Sequence, residues 1–177
     1  ALSLQLFDQL QPAHGLNAAY RDLLWAAAML HDIGLRVDFY YHHHHSAYII
    51  RSSGLPGYAP RELAMVALLA QYHRKGNPKA GDLGVLFDDE DQRALPILAG
   101  MLRLSEFLER GRSQVVRAVR CHLDLPNGWL QIEALEAGDA RIELWDASRN
   151  LDVLQRALDL HVELVSGVWL GKEMESG

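Results

Sequence analysis

Cysteine and long apolar runs are scarce in this sequence of 177 residues. The one cysteine, Cys121, excludes an internal disulfide and a zinc site built from several thiolates, and it is typical of a reducing compartment. The longest apolar runs, residues 23–30 and 63–70, are far shorter than the ~20 residues of a transmembrane helix. We therefore expect a cytoplasmic protein without a membrane segment. The chain starts at Ala1 with no signal-peptide pattern, which suggests a piece cut from a longer protein.

Familiar catalytic motifs are also missing from the sequence. There is no G-x-x-x-x-G-K-[ST] phosphate loop, no G-x-S-x-G nucleophile elbow and no dinucleotide fingerprint. The only Gly-Lys pair, Gly171-Lys172, follows Gly167 at the wrong spacing. Hence the sequence shows no phosphate cradle of its own.

Charge is distributed unevenly along the chain. The net charge is −6, with 49% apolar and 23% charged residues, as in an ordinary soluble globular protein. Residues 93–120 nevertheless contain six arginines and two acidic residues. Such a local excess is either an anion-binding surface or a solvated helix face, and the sequence leaves both interpretations open.

The hydrophobic periodicity changes near residue 112. Before it, apolar residues recur at helical spacing and predict a bundle of about five helices over residues 1–112. After it, alternating patterns around Asn127-Gly128 predict a hairpin, a third strand over 141–147, a helix over 151–160 and a closing strand over 161–165. The predicted fold is mainly α: a helical domain, then a small α+β domain with an antiparallel sheet over residues 113–177.

Histidines and carboxylates at helix ends are candidate metal ligands. His31-Asp32 ends an apolar helix and offers a nitrogen and an oxygen from one rigid element. The alternative is that these two residues only stabilise helix ends. His73 and Glu106 lie on apolar stripes, where a buried carboxylate needs an arginine or a metal as partner. One or two histidines of the run 42–45 can face the same centre, since successive helical residues rotate by about 100°.

Several segments together resemble a known family. Residues 24–34, LWAAAMLHDIG, resemble the second motif of the HD superfamily. They are followed by HHHHSAYII at 42–50, LPGY at 55–58, QYHRK at 71–75 and LRLSEFL at 102–108. In this order and spacing, the segments are similar to the C-terminal half of exopolyphosphatase and guanosine-pentaphosphate phosphohydrolase (Ppx/GppA) proteins. The similarity covers essentially the whole chain.

The resemblance implies an HD-like helical domain and a small α+β domain that follow a pair of actin-like domains. Those upstream domains carry the phosphate loops, the Mg²⁺ site and the catalytic carboxylate in the family. The resemblance therefore implies no catalytic residue in this chain, which would bind polyphosphate or guanosine pentaphosphate and form a homodimer, with neither nucleic acid nor a membrane as a partner.

The resemblance also implies particular site residues. The HD-like metal positions, suited to Mn, Fe or Mg, correspond to His31, Asp32, His45, His73 and Glu106, although the family's first histidine has no counterpart before His14. The expected polyphosphate-binding residues are Arg74, Lys75, Lys79, Arg103, Arg110 and Arg112. The alternatives are a free-standing HD-type phosphohydrolase acting on a nucleotide or phosphomonoester, and a regulatory module without a substrate.

Overall fold

A computed structural model describes residues 1–111 and 114–171 of the chain. Its first part is helical, with α-helices α1 (Leu2–Gln9), α2 (Gln11–His14), α3 (Ala18–Leu30), α4 (His42–Ser53), α5 (Pro60–Tyr72) and α6 (Asp89–Glu109). Short 3₁₀ helices occupy Ile33–Arg36 and Gly81–Leu86. The second part contains strands β1 (Val116–Asp124), β2 (Trp129–Glu136) and β3 (His161–Val168), and helices α7 (Arg141–Ser148) and α8 (Asp152–Leu158). The predicted helical bundle followed by a small α+β unit is confirmed.

Local chemistry explains where the longer helices begin. Asn17 accepts a hydrogen bond from the Ala19 amide at the start of α3. Pro60 is the first residue of α5, a position where its missing N–H costs nothing. Asp88 and Asp91 bond each other's backbone amides at the start of α6.

A polar triad joins the starts of three helices. Asp91 of α6 is 1% exposed, and it accepts hydrogen bonds from Tyr20 of α3 at 2.9 Å and from Arg61 of α5 at 2.6 Å. The hydrogen bonds hold α3, α5 and α6 together near their first residues, and residues at their opposite ends also contact one another.

The sheet differs from the predicted antiparallel arrangement. β1 and β2 pair antiparallel through the expected hairpin, whose Gly128 has φ +64°, but β2 and β3 run parallel. Residues 141–147 form helix α7 and not a third strand. Buried Ala140 and Ala147, with Leu144 packed between them, have the spacing i, i+4, i+7 of a helix face. Helices α7 and α8 carry the chain from the end of β2 back to the end of the sheet where β2 begins, as a parallel β2–β3 pairing requires.

One continuous core links the helical and the sheet segments. Gly100 of α6 lies against the backbone of Leu154 in α8. At the sheet edge, Gln9 of α1 donates to the Val119 carbonyl and accepts from the Cys121 amide, both at 2.8 Å. The predicted boundary at 112/113 lies outside the described residues, and the two-domain division stays a prediction. Within the described residues, no helix is long and apolar enough to cross a membrane.

Candidate metal centre

The ends of three helices bring histidine and carboxylate groups together. His31 directly follows α3, His73 directly follows α5, and Glu106 lies in the last turn of α6. Asp32 occupies the turn after His31, and His42 begins α4. The five residues come from four places in the chain but share one corner of the bundle.

The donor atoms of this cluster lie close to one another. Asp32 Oδ1 is 3.3 Å from His42 Nε2, 3.7 Å from His31 Nε2 and 3.8 Å from His73 Nε2. Glu106 Oε2 lies 3.2 Å from His31 Nε2, and the Nε2 atoms of His42 and His73 are 3.3 Å apart. One ligand atom from each of His31, Asp32 and His73 lies within 4.8 Å of the other two. Such a cluster has the dimensions of a metal site.

Backbone carbonyls fix the orientation of the three imidazole rings. The Nδ1 atoms of His31, His42 and His73 lie 2.7–2.8 Å from the carbonyls of Ala28, Phe39 and Ala70, respectively. A carbonyl only accepts hydrogen bonds, so we assign a proton to each Nδ1. With Nδ1 protonated, Nε2 is the ring nitrogen that faces the cluster in each case, and it carries the lone pair whenever the ring is neutral. In metal sites, backbone carbonyls that accept from the other ring nitrogen orient the binding histidines in this way.

Burial and neighbouring charges separate the protonation states of the cluster. Burial lowers the pKa of His73 to about 3, so this ring is neutral at pH 7. Burial alone would also lower the pKa of His31, but the hydrogen bond to Glu106 and the charge of Asp32 outweigh it and raise that pKa. Burial likewise opposes ionisation of Glu106, yet its bond to His31 holds the carboxyl pKa below its usual value. His31 and Glu106, 3.2 Å apart, thus each favour the charged form of the other.

The donor set fits a divalent transition metal. Neutral His73 directs a lone pair at His42 Nε2 over 3.3 Å, so a proton or a cation is required between them. Three imidazole nitrogens and two carboxylates match Mn²⁺ or Fe²⁺ better than Mg²⁺, which prefers oxygen ligands and retains its waters.

Two of the cavities beside the cluster are lined by both basic and aromatic side chains. One, of about 490 Å³, is lined by the cluster residues Asp32, His42 and Glu106 together with Leu35, Phe39, Arg74 and Arg110. The other, of about 350 Å³, shares part of this lining and adds Tyr40, His43, Lys75 and Phe107. The cavities thus combine a potential cation site, three basic side chains and aromatic walls.

The structure brings together four of the five predicted metal residues. His31, Asp32, His73 and Glu106 meet, whereas His45 has no hydrogen bond, ion pair or ring contact with them in the described part of the chain. His42, which the sequence analysis did not single out, lies where His45 was expected. A helix beginning at residue 42 allows only one or two of the four histidines to face one centre. The sequence does not show which face of α4 meets Asp32.

The predicted polyphosphate-binding residues divide into two groups. Arg74, Lys75 and Arg110 line the cavities, and Lys79 is exposed nearby in the chain. Arg103 is only 3% exposed. Its guanidinium donates to the carbonyls of Tyr72 and Gly76, so it supports the 72–76 loop from inside the core. Arg112 lies outside the described residues. The aromatic walls Phe39 and Phe107 were not predicted; the run FYY at 39–41 is a sequence signal for Phe39 alone.

A comparison with models of known families identifies the family of the chain. The family profile described as Ppx/GppA phosphatase, domain III, matches residues 1–144, which include every residue of the cluster and of both cavities. The suspected relationship is thereby confirmed, and it links the chain to a hydrolytic family. The chain belongs to the Ppx/GppA phosphatase family, of which it contains domain III.

Proposed function

We propose that this chain is the polyanion-binding and assembly part of a phosphoanhydride hydrolase, with polyphosphate or guanosine pentaphosphate as the substrate. The observation that carries the proposal is the basic cavity beside the histidine and carboxylate cluster. Catalysis itself is assigned to actin-like domains upstream, which hold their own Mg²⁺. We also propose a homodimer, checked by light scattering, and a cytoplasmic location.

The basic side chains suit a ligand with many negative charges. Arg74 and Lys75 follow α5, and Arg110 follows α6, so all three reach the 350 Å³ cavity from fixed helix ends. A phosphate chain makes several weak charge contacts that add up and that salt screens. Lys79 lies in the same connection as Lys75 and extends the basic surface.

The cluster supplies a second recognition element. His31, Asp32, His42, His73 and Glu106 would hold a divalent ion, which neutralises negative charge on a phosphate and polarises its oxygens. The protein residues have separate tasks: the carbonyl-bonded histidines stay oriented, and Arg74 and Arg110 hold the anion next to the ion.

Charge reversal tests the anion-binding proposal. Arg74→Glu combined with Lys75→Glu should weaken polyphosphate binding at low ionic strength by at least tenfold, and raising the salt concentration should weaken wild-type binding steeply. Arg141→Glu is the matched control, because Arg141 is 88% exposed and forms an ion pair with its neighbour Asp139, away from the cluster residues. Calorimetry or fluorescence anisotropy measures both effects. Binding that is independent of salt, or equal in the Arg74/Lys75 variant, would refute this surface.

Mn²⁺ titration of the wild-type chain tests the metal proposal. His42→Ala should weaken Mn²⁺ binding by one to two orders of magnitude, while His45→Ala, three residues away on the same helix, should leave it nearly unchanged. Equal stoichiometry and affinity in wild type and His42→Ala would contradict the assignment.

A second candidate function is an HD-type phosphohydrolase that works without upstream domains. The convergence of three imidazoles and two carboxylates on one centre favours it. This candidate predicts Mn²⁺- or Fe²⁺-dependent hydrolysis of a nucleotide or phosphomonoester that Asp32→Ala abolishes. The main proposal predicts that the chain alone, with Mg²⁺, releases no phosphate from polyphosphate. A panel of phosphate esters, assayed with several divalent ions on both proteins, decides between them.

A further inference from the structure

A single buried hydroxyl connects the two segments that carry Asp32 and His42. Ser46 of α4 is fully buried, and its Oγ donates to the His31 carbonyl at 2.5 Å. The same oxygen accepts a hydrogen bond from the Gly34 amide at 2.9 Å. The hydroxyl therefore uses both its donor and its acceptor capacity on the turn that contains His31 and Asp32.

The close approach of the turn to α4 depends on Gly34. A Cβ atom at this position would lie 2.2 Å from the His42 carbonyl oxygen and 2.5 Å from the Ser46 amide nitrogen. Real atoms do not approach so closely, so no larger residue fits without separating the two backbones. Gly34 allows the turn to approach α4 closely, and the two hydrogen bonds of Ser46 join the turn to α4.

From this geometry we infer that Ser46 is a positioning residue for the metal cluster. Its hydroxyl bonds the backbone of the turn carrying His31 and Asp32, and it fixes that turn against the first turn of α4, which carries His42. This inference rests on the proposed metal function of the cluster. It adds a residue that acts on the site only through the backbone.

The experiment compares Ser46→Ala with Ser3→Ala in the full chain. Ser3 is also fully buried, but its Oγ has no hydrogen-bond partner among the residues that the structure describes, so its replacement removes the same atom without breaking a bond seen there. Amide hydrogen exchange is measured without metal, and Mn²⁺ affinity is measured by calorimetry. In Ser46→Ala, the Gly34 amide should exchange at least tenfold faster and Mn²⁺ should bind 10–100-fold more weakly, as for other residues that orient metal ligands. Both properties should match the wild type in Ser3→Ala.

The two measurements separate the possible failures. An unchanged Gly34 exchange rate, or faster exchange with wild-type Mn²⁺ affinity, overturns the positioning role. If the wild type binds no Mn²⁺, the metal proposal fails, and the exchange rates alone decide whether Ser46 holds the turn. If Ser46→Ala does not fold, Ser46→Cys, which retains a weak donor, should show smaller changes in the same direction.

Discussion

Replacement of Asp91 by asparagine tests how strongly the polar triad ties the three helices together. Asp91 is 1% exposed, and it accepts hydrogen bonds from both Arg61 and Tyr20. Asparagine keeps the shape of the side chain but removes its charge. Breaking a buried ion pair typically costs ~3–5 kcal/mol, because the remaining charge is left unpaired.

The exposure of Arg61 reduces this cost. Its side chain is 39% exposed, so water solvates the guanidinium when the partner charge is lost. We therefore expect Asp91→Asn to lower the free energy of unfolding by about 2–3 kcal/mol. For a chain of this length, the loss corresponds to a melting temperature lower by roughly 5–10 °C.

The effect should depend on pH in one direction. Burial opposes ionisation of Asp91, but the hydrogen bonds from Arg61 and Tyr20 outweigh it and hold the folded-state pKa below the ordinary value of 3.8. The ionised carboxylate thus contributes stability that is fully present above pH 3.8 and is lost as the pH falls through the lower, folded-state pKa. The stability difference between wild type and Asp91→Asn should be constant from pH 7 to about 5 and shrink below pH 4.

Urea unfolding followed by circular dichroism measures both quantities. Asp89→Asn is the control, because Asp89 is an exposed acidic residue in the same first helical turn and loses only its interaction with the helix end, worth ~0.3–1 kcal/mol. A loss at Asp91 no larger than at Asp89, or one that stays constant down to pH 3, would refute the reasoning.

Three further substitutions test other contacts. Gly100→Ala should destabilise the fold by ~1–2 kcal/mol in urea unfolding, because the gain in helix propensity is smaller than the strain of a Cβ placed 2.9 Å from Leu154 Cα; equal or higher stability would show that α6 and α8 separate easily. Gln9→Ala should cost ~1–2 kcal/mol through its two lost bonds to β1, and an unchanged unfolding midpoint would contradict this. Asp146→Asn should strengthen polyphosphate binding up to about fivefold at low salt, because Arg110 loses its 2.8 Å ion pair; unchanged affinity would show that Arg110 takes no part.

Local signals in the sequence were sufficient to predict most of the helices in the first part of the chain and the β1–β2 hairpin. Pro60 and Asp88 lie at helix starts, and Asn127-Gly128 marks the hairpin, because each acts through its own backbone or a neighbour's. The direction of β3 was not predictable in the same way. It depends on whether residues 141–147 are a strand or a helix, and the sequence pattern there predicts a strand.

In the candidate site too, residues marked by local sequence patterns were predicted, whereas those that depend on tertiary contacts were not. His31, Asp32, His73 and Glu106 were recognised because they lie at helix ends or on apolar stripes within a family-like order. The choice of His42 over His45 depends on how α4 is rotated against the turn at Gly34, which is a tertiary contact. Arg103 was predicted to bind polyphosphate, whereas its guanidinium donates to two backbone carbonyls in the interior, a tertiary contact that its charge alone does not reveal.

The convergence of three helix ends gives the cluster an electrostatic character beyond its side chains. The peptide dipoles of α3, α5 and α6 sum to partial negative charges at their C-terminal ends, and His31, His73 and Glu106 all lie there. The start of α4 at His42 contributes one opposing, positive end. The balance attracts a cation even before the carboxylates are counted, and it is a property of the backbone that substitution of single side chains leaves in place. A variant that lacks one ligand should therefore still concentrate cations at this corner of the bundle.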